Sequence, residues 1–366
     1  MKYRNRRSTP FTLILIIPFL LLISAGKVEL LKEASFYTKL KKNFVRCDLC
    51  PIRCVIEPGK TGTCNVRQNI DGTLYSLVYN QLITYHIDPI EKKPLYHFYP
   101  GSKILSIATA GCNLRCNFCQ NWEISQSKPD EVPTYNMTPE DIVALARKND
   151  CPNIAFTYTE PTVFYEYMLD IARLAGKEDI KTVWVTCGYI NEEPLRKLLP
   201  WLDAANIDLK GFSEEFYQTY TTGKLQPVLD CIRICSEENL FFEITNLVIP
   251  KANDDPEMIR EMCEWIVQTC GKDTPVHFSR FHPDYKLLNR PATPLKTLLK
   301  AKDIAREAGL QYVYIGNIQT DFEDTICPNC GTRVIDRSGY LIRENRIIDG
   351  KCPECRENIN GCFDIH

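Results

Sequence analysis

Apolar runs of strand length alternate with helical stretches through the central part of the chain. The strand candidates lie at residues 104–110, 153–158, 181–187, 203–209, 240–248, 275–280 and 311–316. Strands that are apolar along most of their length are buried on both faces, which is the situation of a parallel sheet with helices on its faces. The alternation of strands and helices therefore predicts an α/β core, built as a full or partial barrel from six or seven units.

The helical stretches between the strands carry start and stop signals. Residues 138–148 begin with a capping signal followed by proline at the first helical position. Residues 162–175 place apolar side chains on one stripe, and Gly176 predicts the end of that helix. The dipeptide Thr293-Pro294 predicts the same kind of capped start for a helix over 295–308.

Two flanking regions interrupt this pattern. Residues 47–101 are rich in turn signals and contain short strand candidates such as 73–79, whereas residues 327–366 carry two Cys-Pro-x-Cys sequences around a short hairpin. We therefore divide the chain into four parts: an N-terminal hydrophobic segment (1–30), a small cysteine-rich metal-binding region (31–101), the α/β core (102–320) and a C-terminal region of the zinc ribbon type (321–366).

The N-terminal part holds a hydrophobic segment. Residues 8–26 carry no charge, and residues 11–23 are almost wholly apolar. This pattern is typical of a signal peptide or of a short membrane anchor. A third interpretation is that translation of the functional protein starts near Leu31. The sequence leaves the signal peptide, the membrane anchor and this later start open.

Composition and charge exclude several classes of protein. The 44 lysines and arginines against 46 aspartates and glutamates give a net charge of −2, which does not provide the basic surface of a general nucleic-acid binder. The 18 cysteines are abnormal, and a length of 366 residues excludes a small fold stapled by disulfides. Eleven of these cysteines fall into three tight groups, which indicates metal ligands. Thiolates held for metals favour a reducing, cytoplasmic location, with membrane association through residues 8–26 left open.

The central group follows the first core strand. Cys112, Cys116 and Cys119 come directly after strand 104–110, where the loops of a β/α barrel build active sites. Three thiolates without a fourth nearby cannot close a structural tetrahedral site. A [4Fe–4S] cluster normally takes four cysteines, so three would leave one iron open to an exogenous ligand. A zinc site that borrows a distant cysteine is the alternative.

The two outer groups each contain four cysteines. The N-terminal group consists of Cys47, Cys50, Cys54 and Cys64. It can hold a closed zinc site or an auxiliary iron–sulfur cluster, because thiolate ligands suit both metals. The C-terminal group consists of Cys327, Cys330, Cys352 and Cys355. Its two Cys-x2-Cys pairs are the signature of a zinc ribbon, for which we expect zinc and the role of a metal-stapled cap.

The CxxxCxxC sequence after the first strand resembles the radical S-adenosylmethionine (SAM) superfamily. Four further stretches are similar to the radical SAM member of the AmmeMemoRadiSam system, a relative of the pyruvate formate-lyase activating enzymes: Asp88–Phe98, Pro100-Gly101-Ser102, Cys119-Gln120-Asn121-Trp122 and Ile124-Ser125. The resemblance covers about residues 31–360. It implies a partial TIM-type (β/α)6 barrel over residues 102–320, with a [4Fe–4S] cluster on Cys112, Cys116 and Cys119.

The resemblance also implies the chemistry. In that family SAM chelates the open iron, and one electron cleaves the sulfonium to give a 5′-deoxyadenosyl radical that abstracts hydrogen. The electron would come from a flavodoxin or ferredoxin-like donor, and the protein would work alongside Memo-like and AMMECR-like proteins on a substrate that the sequence does not reveal. A glycyl-radical-enzyme activase is one alternative, and a non-catalytic zinc-binding scaffold is another.

Contacts to SAM are implied residue by residue. Glu160 lies in the place of the superfamily's Gly-Gly-Glu segment, where a carboxylate or carbonyl receives the SAM ammonium, although an acid at a helix N-terminus explains it equally. Asp208 and Lys210 are expected near the SAM carboxylate or ribose, or as a structural ion pair.

Two more contacts and one departure follow from the same resemblance. Asn246 lies in an otherwise apolar strand and is expected to point into the pocket, and His282 matches a ribose-side histidine of activating enzymes. Cys187 departs from the asparagine that relatives commonly have, which leaves a polar role for that side chain in doubt.

Overall fold

A computed structural model describes residues 31–318 and 323–363 of the chain. The hydrophobic segment predicted at residues 8–26 lies outside these ranges. Within them, no helix has the length and apolar character needed to cross a membrane.

Short strands build the region before the core. Their bounds are Lys32–Glu33 (β1), Tyr37–Lys39 (β2), Val45–Cys47 (β3), Val55–Ile56 (β4), Arg67–Ile70 (β5), Thr73–Ser76 (β6) and Gln81–Leu82 (β7). Two antiparallel three-stranded sheets result, one in the order β1-β6-β5 and the other β2-β3-β4. The strand expected at 73–79 is shorter and ends at Ser76.

The core is one sheet of eight strands. The bounds in this part of the chain are Thr84–Pro89 (β8), Lys103–Ala108 (β9), Tyr135–Asn136 (β10), Asn153–Phe156 (β11), Lys181–Thr186 (β12), Ala204–Asp208 (β13), Phe241–Val248 (β14), Val276–Arg280 (β15) and Val313–Gly316 (β16). Seven strands, β9 and β11 to β16, are parallel and neighbour one another in chain order. Strand β8 pairs antiparallel with β9 at one edge, and β10 pairs instead with β7. All seven predicted core strands are therefore present.

Helices connect successive parallel strands. Their bounds are Trp122–Ser125 (α1), Pro139–Lys148 (α2), Tyr165–Lys177 (α3), Glu192–Leu198 (α4), Glu214–Phe216 (α5), Leu225–Glu237 (α6), Pro256–Cys270 (α7) and Leu295–Glu307 (α8). Helices α2, α3, α4, α6, α7 and α8 each follow one strand of the sheet, which gives six strand–helix units and a seventh strand. Because β8 and β16 remain the edges of the sheet, the barrel is partial.

The sequence signals for helix starts and ends predict some helix boundaries correctly and others not. Thr138 caps α2 through a reciprocal capping box with Asp141, as its sequence predicts. The prediction that Gly176 ends α3 is wrong, because that glycine lies inside the helix and Lys177 is the last helical residue.

The expected cap of α8 is also wrong. Pro294 occupies the N-cap position, and no side chain caps the helix there. The hydroxyl of Thr293 instead donates to the Val248 carbonyl at 2.6 Å and accepts from the Phe281 amide at 3.0 Å. Thr293 therefore connects the ends of β14 and β15. Its hydroxyl is already bonded to these two backbone groups, so it does not cap α8.

The segment that follows β8 fills the barrel where its strands begin. Ile90, Leu95 and Phe98 form one apolar cluster with the first residues of several strands. The Pro94 carbonyl accepts a hydrogen bond from Asn206 Nδ2 at 2.8 Å inside the barrel. This plug segment, residues 90–98, closes one end of the interior and leaves the C-terminal ends of the strands free for loops.

The C-terminal region packs on the barrel. Its strands are Thr325–Ile326 (β17), Arg333–Ser338 (β18) and Leu341–Asn345 (β19), which form one antiparallel sheet. Tyr96, Tyr312 and Tyr314 of the core share one hydrophobic cluster with side chains of this region. Arg337 donates to the Tyr96 carbonyl at 2.6 Å and lies 4.5 Å from the centre of the Tyr96 ring. The C-terminal region is therefore a separate small sheet that packs firmly on the core.

Candidate functional site

The CxxxCxxC loop connects β9 to α1 at the mouth of the barrel. Gly111, directly before Cys112, has a φ of +97°, and a Cβ there would lie 2.6 Å from the Cys64 carbonyl oxygen. Only glycine accepts both this backbone conformation and this approach. The N-terminal region therefore packs directly against the start of the loop.

Other loops hold the CxxxCxxC loop from several sides. The Arg115 and Asn117 amides donate to the Thr221 and Tyr220 carbonyls at 2.9 and 3.0 Å. Asn121 Nδ2 donates to the Tyr158 carbonyl at 2.8 Å. These two backbone contacts and the Asn121 side chain fix the loop without using the cysteine side chains.

The cysteine thiols lie in a poorly solvated place. Burial and the negative charge of Glu160 raise the pKa of Cys112 well above its ordinary value. Burial also raises the pKa of Cys116 to about 12, although the Lys210 ammonium opposes this shift. Metal binding must therefore release protons from these thiols.

The spacing of sulfur atoms separates the three cysteine groups. Within residues 31–318 and 323–363, only Cys327, Cys330, Cys352 and Cys355 place three or more donor atoms within 4.8 Å of one another. A [4Fe–4S] cluster distributes its cysteines over different iron atoms, which requires wider spacing than a single ion. The CxxxCxxC trio, with three soft thiolate donors at such a spacing, fits a [4Fe–4S] cluster, whereas the C-terminal group fits a single metal ion.

Glu160 is buried between two loops. Its Oε1 accepts from the Thr162 amide, the Thr162 hydroxyl and the Thr186 hydroxyl at 3.0, 2.6 and 2.7 Å. Its Oε2 accepts from the Cys187 amide at 2.8 Å. Oε1 thus accepts three hydrogen bonds and Oε2 one, and each carboxylate oxygen offers about two acceptor positions, so Oε2 keeps one position open. The geometry favours the helix N-terminal role of Glu160, since it is the N-cap of the short helix that begins at Pro161.

Asp208 and Lys210 form an ion pair at the mouth. Lys210 Nζ lies 2.8 Å from Asp208 Oδ2, and the Asp208 side chain is 38% exposed. Burial disfavours the ammonium, but Asp208 and the thiolates of Cys116 and Cys187 together raise the pKa of Lys210 well above its ordinary value. Lys210 thus lies between Cys116 of the CxxxCxxC loop and the accessible Asp208 carboxylate.

Asn246 does not lie where the sequence suggested. Alternate residues of a strand share a face, and its neighbours Ile244 and Val248 belong to the core beneath the helices. Asn246 Nδ2 donates to the Leu209 carbonyl at 2.7 Å. The structure thus places this side chain behind the loop that follows β13 and not in the barrel interior.

His282 lies on the rim of the mouth. Its side chain is 55% exposed, and its Nδ1 is 3.2 Å from Gln120 Nε2 of the cysteine loop. Nearby, the Trp122 and Tyr285 rings stack with centres 5.1 Å apart. The loop after β15 therefore covers the edge of the CxxxCxxC loop.

Cys187 is buried beside the trio. Burial, Glu160 and Cys112 all raise its pKa well above the ordinary value, and its Sγ is 3.8 Å from Asn113 Oδ1. Because Cys187 stands where relatives commonly have asparagine, a fourth sulfur atom lies near the CxxxCxxC loop.

A cavity missed by sequence reasoning opens between the plug segment, the barrel wall and the C-terminal hairpin. It measures about 380 Å³, and its lining includes Glu91, Lys92, Tyr96, His277, Ser279 and Tyr340. Glu91 is 1% exposed, and its Oε1 accepts from the Gly101 amide at 2.7 Å. Its Oε2 has no hydrogen-bond partner among the described residues. The only sequence signal for this residue was its place in the stretch Asp88–Phe98.

The N-terminal cysteine group lies next to the same loop. Its four members line one cavity of about 20 Å³, together with Asn113 of the CxxxCxxC loop. Arg115 of that loop donates to the Thr63 carbonyl. The two cysteine groups are thus neighbours in space, although about fifty residues separate them in the chain.

Comparison with known proteins identifies the superfamily of the chain. Residues 106–266 match the sequence model of the radical SAM superfamily. The uncharacterized protein MJ0808 of Methanocaldococcus jannaschii is 46% identical over 335 residues, which cover 90% of this chain and 99% of the relative. A pyruvate formate-lyase-activating enzyme of Streptococcus mutans is 21% identical over 176 residues, 46% of this chain and 66% of the relative. A radical SAM methyltransferase from Sphaerobacter thermophilus has a TM-score of 0.47 at 17% identity and covers 60% of this chain and 67% of that chain. The chain belongs to the radical SAM superfamily.

Proposed function

We propose that the protein cleaves SAM reductively and abstracts a hydrogen atom from a substrate. The observation that carries the proposal is the cysteine trio, held by backbone contacts at the mouth of a partial barrel. When bound there, a [4Fe–4S] cluster would supply one electron to SAM, giving methionine and a 5′-deoxyadenosyl radical. Cys112, Cys116 and Cys119 would hold that cluster.

Charged groups of the mouth would orient SAM. The Asp208 carboxylate is accessible and its partner Lys210 is half-buried beside Cys116, so the pair presents both signs of charge to a zwitterionic ligand. His282 and the exposed face of Trp122 lie on the rim, where they would limit the entry of water. Glu160 would position the loops after β11 and β12, and its Oε2, which accepts a single hydrogen bond, keeps an acceptor position for the SAM ammonium.

The cavity beside Glu91 would receive the substrate. Its volume of about 380 Å³ is the size of a small-molecule site. The Oε2 of Glu91 is buried beside this cavity without a hydrogen-bond partner among the described residues, so a ligand donor that reached it would remove the cost of that burial. A small polar molecule with such a donor is therefore the substrate class that the cavity favours.

A second candidate is a glycyl-radical-enzyme activase. The likeness to a pyruvate formate-lyase-activating enzyme favours it. Its substrate would be a glycine of a partner protein, so addition of that partner should convert SAM to 5′-deoxyadenosine and leave a glycyl radical signal in magnetic resonance. A non-catalytic zinc scaffold is not favoured, because the chain belongs to a superfamily of SAM-dependent enzymes.

Partners of the AmmeMemoRadiSam system are part of the same proposal. The support is the stretch Asp88–Phe98, which the structure shows as the plug segment and the strand before it. Co-purification with a Memo-like or AMMECR-like protein from one operon would support this assignment, and repeated failure with both would count against it.

The test of the main proposal is anaerobic reconstitution with iron and sulfide, followed by addition of dithionite and SAM. We expect 5′-deoxyadenosine from the wild-type protein and none from Cys116→Ala, because two cysteines cannot hold the cluster. Cys151→Ala is the matched control, since this cysteine is buried before β11 and away from the mouth. Equal product from Cys116→Ala and the wild type would reject the cluster assignment.

A further inference from the structure

We propose that the N-terminal cysteine group holds an iron–sulfur cluster of its own. The group consists of Cys47, Cys50, Cys54 and Cys64. The sequence alone left zinc and iron open at this site, because thiolates bind both. Sulfur spacing, the shape of the enclosed space and the surrounding charges now favour the cluster.

The spacing of the sulfur atoms is the first argument. Four thiolates on one zinc ion lie about 3.8 Å apart, since each Zn–S bond is about 2.3 Å and the geometry is tetrahedral. The C-terminal group meets this requirement, with Sγ atoms 3.6 Å apart in the pairs Cys327–Cys355 and Cys330–Cys352. Among the described residues, no three thiols of the N-terminal group come within the 4.8 Å that the C-terminal group satisfies. The two groups of four cysteines in this chain therefore have different geometries.

The enclosed space is the second argument. The four N-terminal cysteines line a common cavity of about 20 Å³. The space enclosed by four sulfur atoms around one zinc ion is too small for a water molecule. A cavity of roughly 10–15 Å³ or more can hold one. The space between these thiols is thus larger than one zinc ion needs, as expected where each cysteine binds a different iron.

The charges around the group are compatible with a buried anionic cluster. Arg67 is 2% exposed and forms a bidentate pair with Glu166, both contacts being 3.0 Å. Arg67 lines the same cavity as the four cysteines. The Thr63 amide lies 3.4 Å from Cys54 Sγ and can donate to it. Because Glu166 already pairs with Arg67, the Thr63 amide is the donor that directly stabilises a thiolate of the group.

The position of the group relates it to the catalytic loop. The Cys64 carbonyl touches Gly111, Arg115 binds the Thr63 carbonyl, and Asn113 lines the cavity of the group. Four protein ligands would leave no iron of this cluster open to SAM. The two clusters would lie side by side, with the N-terminal one fully ligated.

Metal and sulfide analysis tests the proposal without SAM turnover, so its outcome is independent of the proposed function. We expect the reconstituted wild-type protein to contain about six to eight iron atoms with matching sulfide, and about one zinc ion per chain. A Cys112→Ser/Cys116→Ser/Cys119→Ser variant should keep about two to four iron atoms with sulfide, and its Mössbauer spectrum should be that of a cluster.

Variants in the other groups complete the test. Cys50→Ser/Cys54→Ser should lose only the iron that the trio variant keeps, and Cys330→Ser/Cys355→Ser should lose zinc with iron unchanged. If the Cys50→Ser/Cys54→Ser variant does not fold, the wild-type metal content decides alone. About four iron atoms and two zinc ions per wild-type chain, or a trio variant without iron, would overturn the proposal.

Discussion

At the scale of single residues, Glu160 shows how one carboxylate organises the barrel mouth. It joins the loop after β11 to the loop after β12 through four hydrogen bonds, and it is 2% exposed. Three of these hydrogen bonds fall on Oε1 and one on Oε2, so the loop contacts hold one oxygen completely and leave one acceptor position on the other. Its geometry therefore indicates a residue that positions loops.

Glu160→Gln tests that role. The amide would turn its NH2 group toward the Cys187 N–H or toward the threonine hydroxyls, leaving a buried donor without an acceptor. We expect a loss of about 1–3 kcal/mol in the free energy of unfolding, with iron content retained after reconstitution. Glu193→Gln, on the exposed side of α4, is the control and should be neutral. A variant with wild-type stability but a weakened affinity for SAM would show instead that Glu160 binds the ammonium.

Sequence reasoning at this scale located side chains well where their position depends on local spacing. The CxxxCxxC trio is set by positions three and four residues apart directly after a strand, and the structure places it at the mouth. The predicted direction of the Asn246 side chain was wrong, because the alternation of residues along a strand does not show which face meets the barrel interior. The cavity role of Glu91 was missed because its partners come from distant parts of the chain.

At the scale of elements, every core strand was predicted, because seven apolar runs of strand length mark them without help from tertiary contacts. Helix ends were less predictable. Gly176 continues α3 for one more residue, because a glycine permits a helix end without imposing it. Thr293 bonds two strands, and these tertiary partners outweighed the local capping signal. The plug segment was not predicted, because nothing in residues 90–98 shows that they enter the barrel.

His97 in the plug segment predicts a pH dependence. Its Nδ1 donates to the Asn360 carbonyl at 2.6 Å, and its Nε2 lies 2.5 Å from the Tyr314 hydroxyl, so the neutral ring satisfies both partners. Burial lowers its pKa to about 4, with the Glu243 charge opposing. The unfolded chain binds this proton below about pH 6.5 and the native protein only near pH 4, so stability falls as the pH falls between these values.

Between pH 7 and pH 5 we expect His97 to account for a loss of about 2 kcal/mol in the free energy of unfolding. Scanning calorimetry at both pH values should show a smaller fall in the unfolding midpoint for His97→Gln than for the wild type. His86→Gln is the control, because His86 is exposed on β8. Equal falls in all three proteins would contradict the assignment of a neutral, buried His97.

At the scale of the whole molecule, three regions of the chain meet at one cavity. The plug segment contributes Glu91, β15 contributes Ser279, and the C-terminal hairpin contributes Tyr340. The hydrophobic cluster shared by the barrel and the C-terminal region keeps these walls together. A buried carboxylate oxygen without a partner costs stability, which proteins tolerate where a ligand supplies the missing donor.

Glu91→Gln measures that cost. Burial raises the pKa of Glu91, although the Gly101 amide opposes the shift, so the ionised form destabilises the folded protein at neutral pH. The neutral amide can keep the hydrogen bond from Gly101, so we expect the variant to be more stable by about 1 kcal/mol at pH 7. The gain should vanish at a pH below the ordinary pKa of a glutamate, where the wild-type side chain is protonated in both states.

Thermal unfolding at pH 7 and at a pH low enough to protonate glutamate checks the sign of the effect in the ligand-free protein. Glu140→Gln is the control, because Glu140 is exposed on α2 and its neutralisation should change little. A Glu91→Gln variant less stable than the wild type at pH 7 would mean that the carboxylate is satisfied in the fold. The cavity would then lack the hydrogen-bond acceptor from which its substrate class is inferred, because a satisfied oxygen has no need of a donor from a ligand.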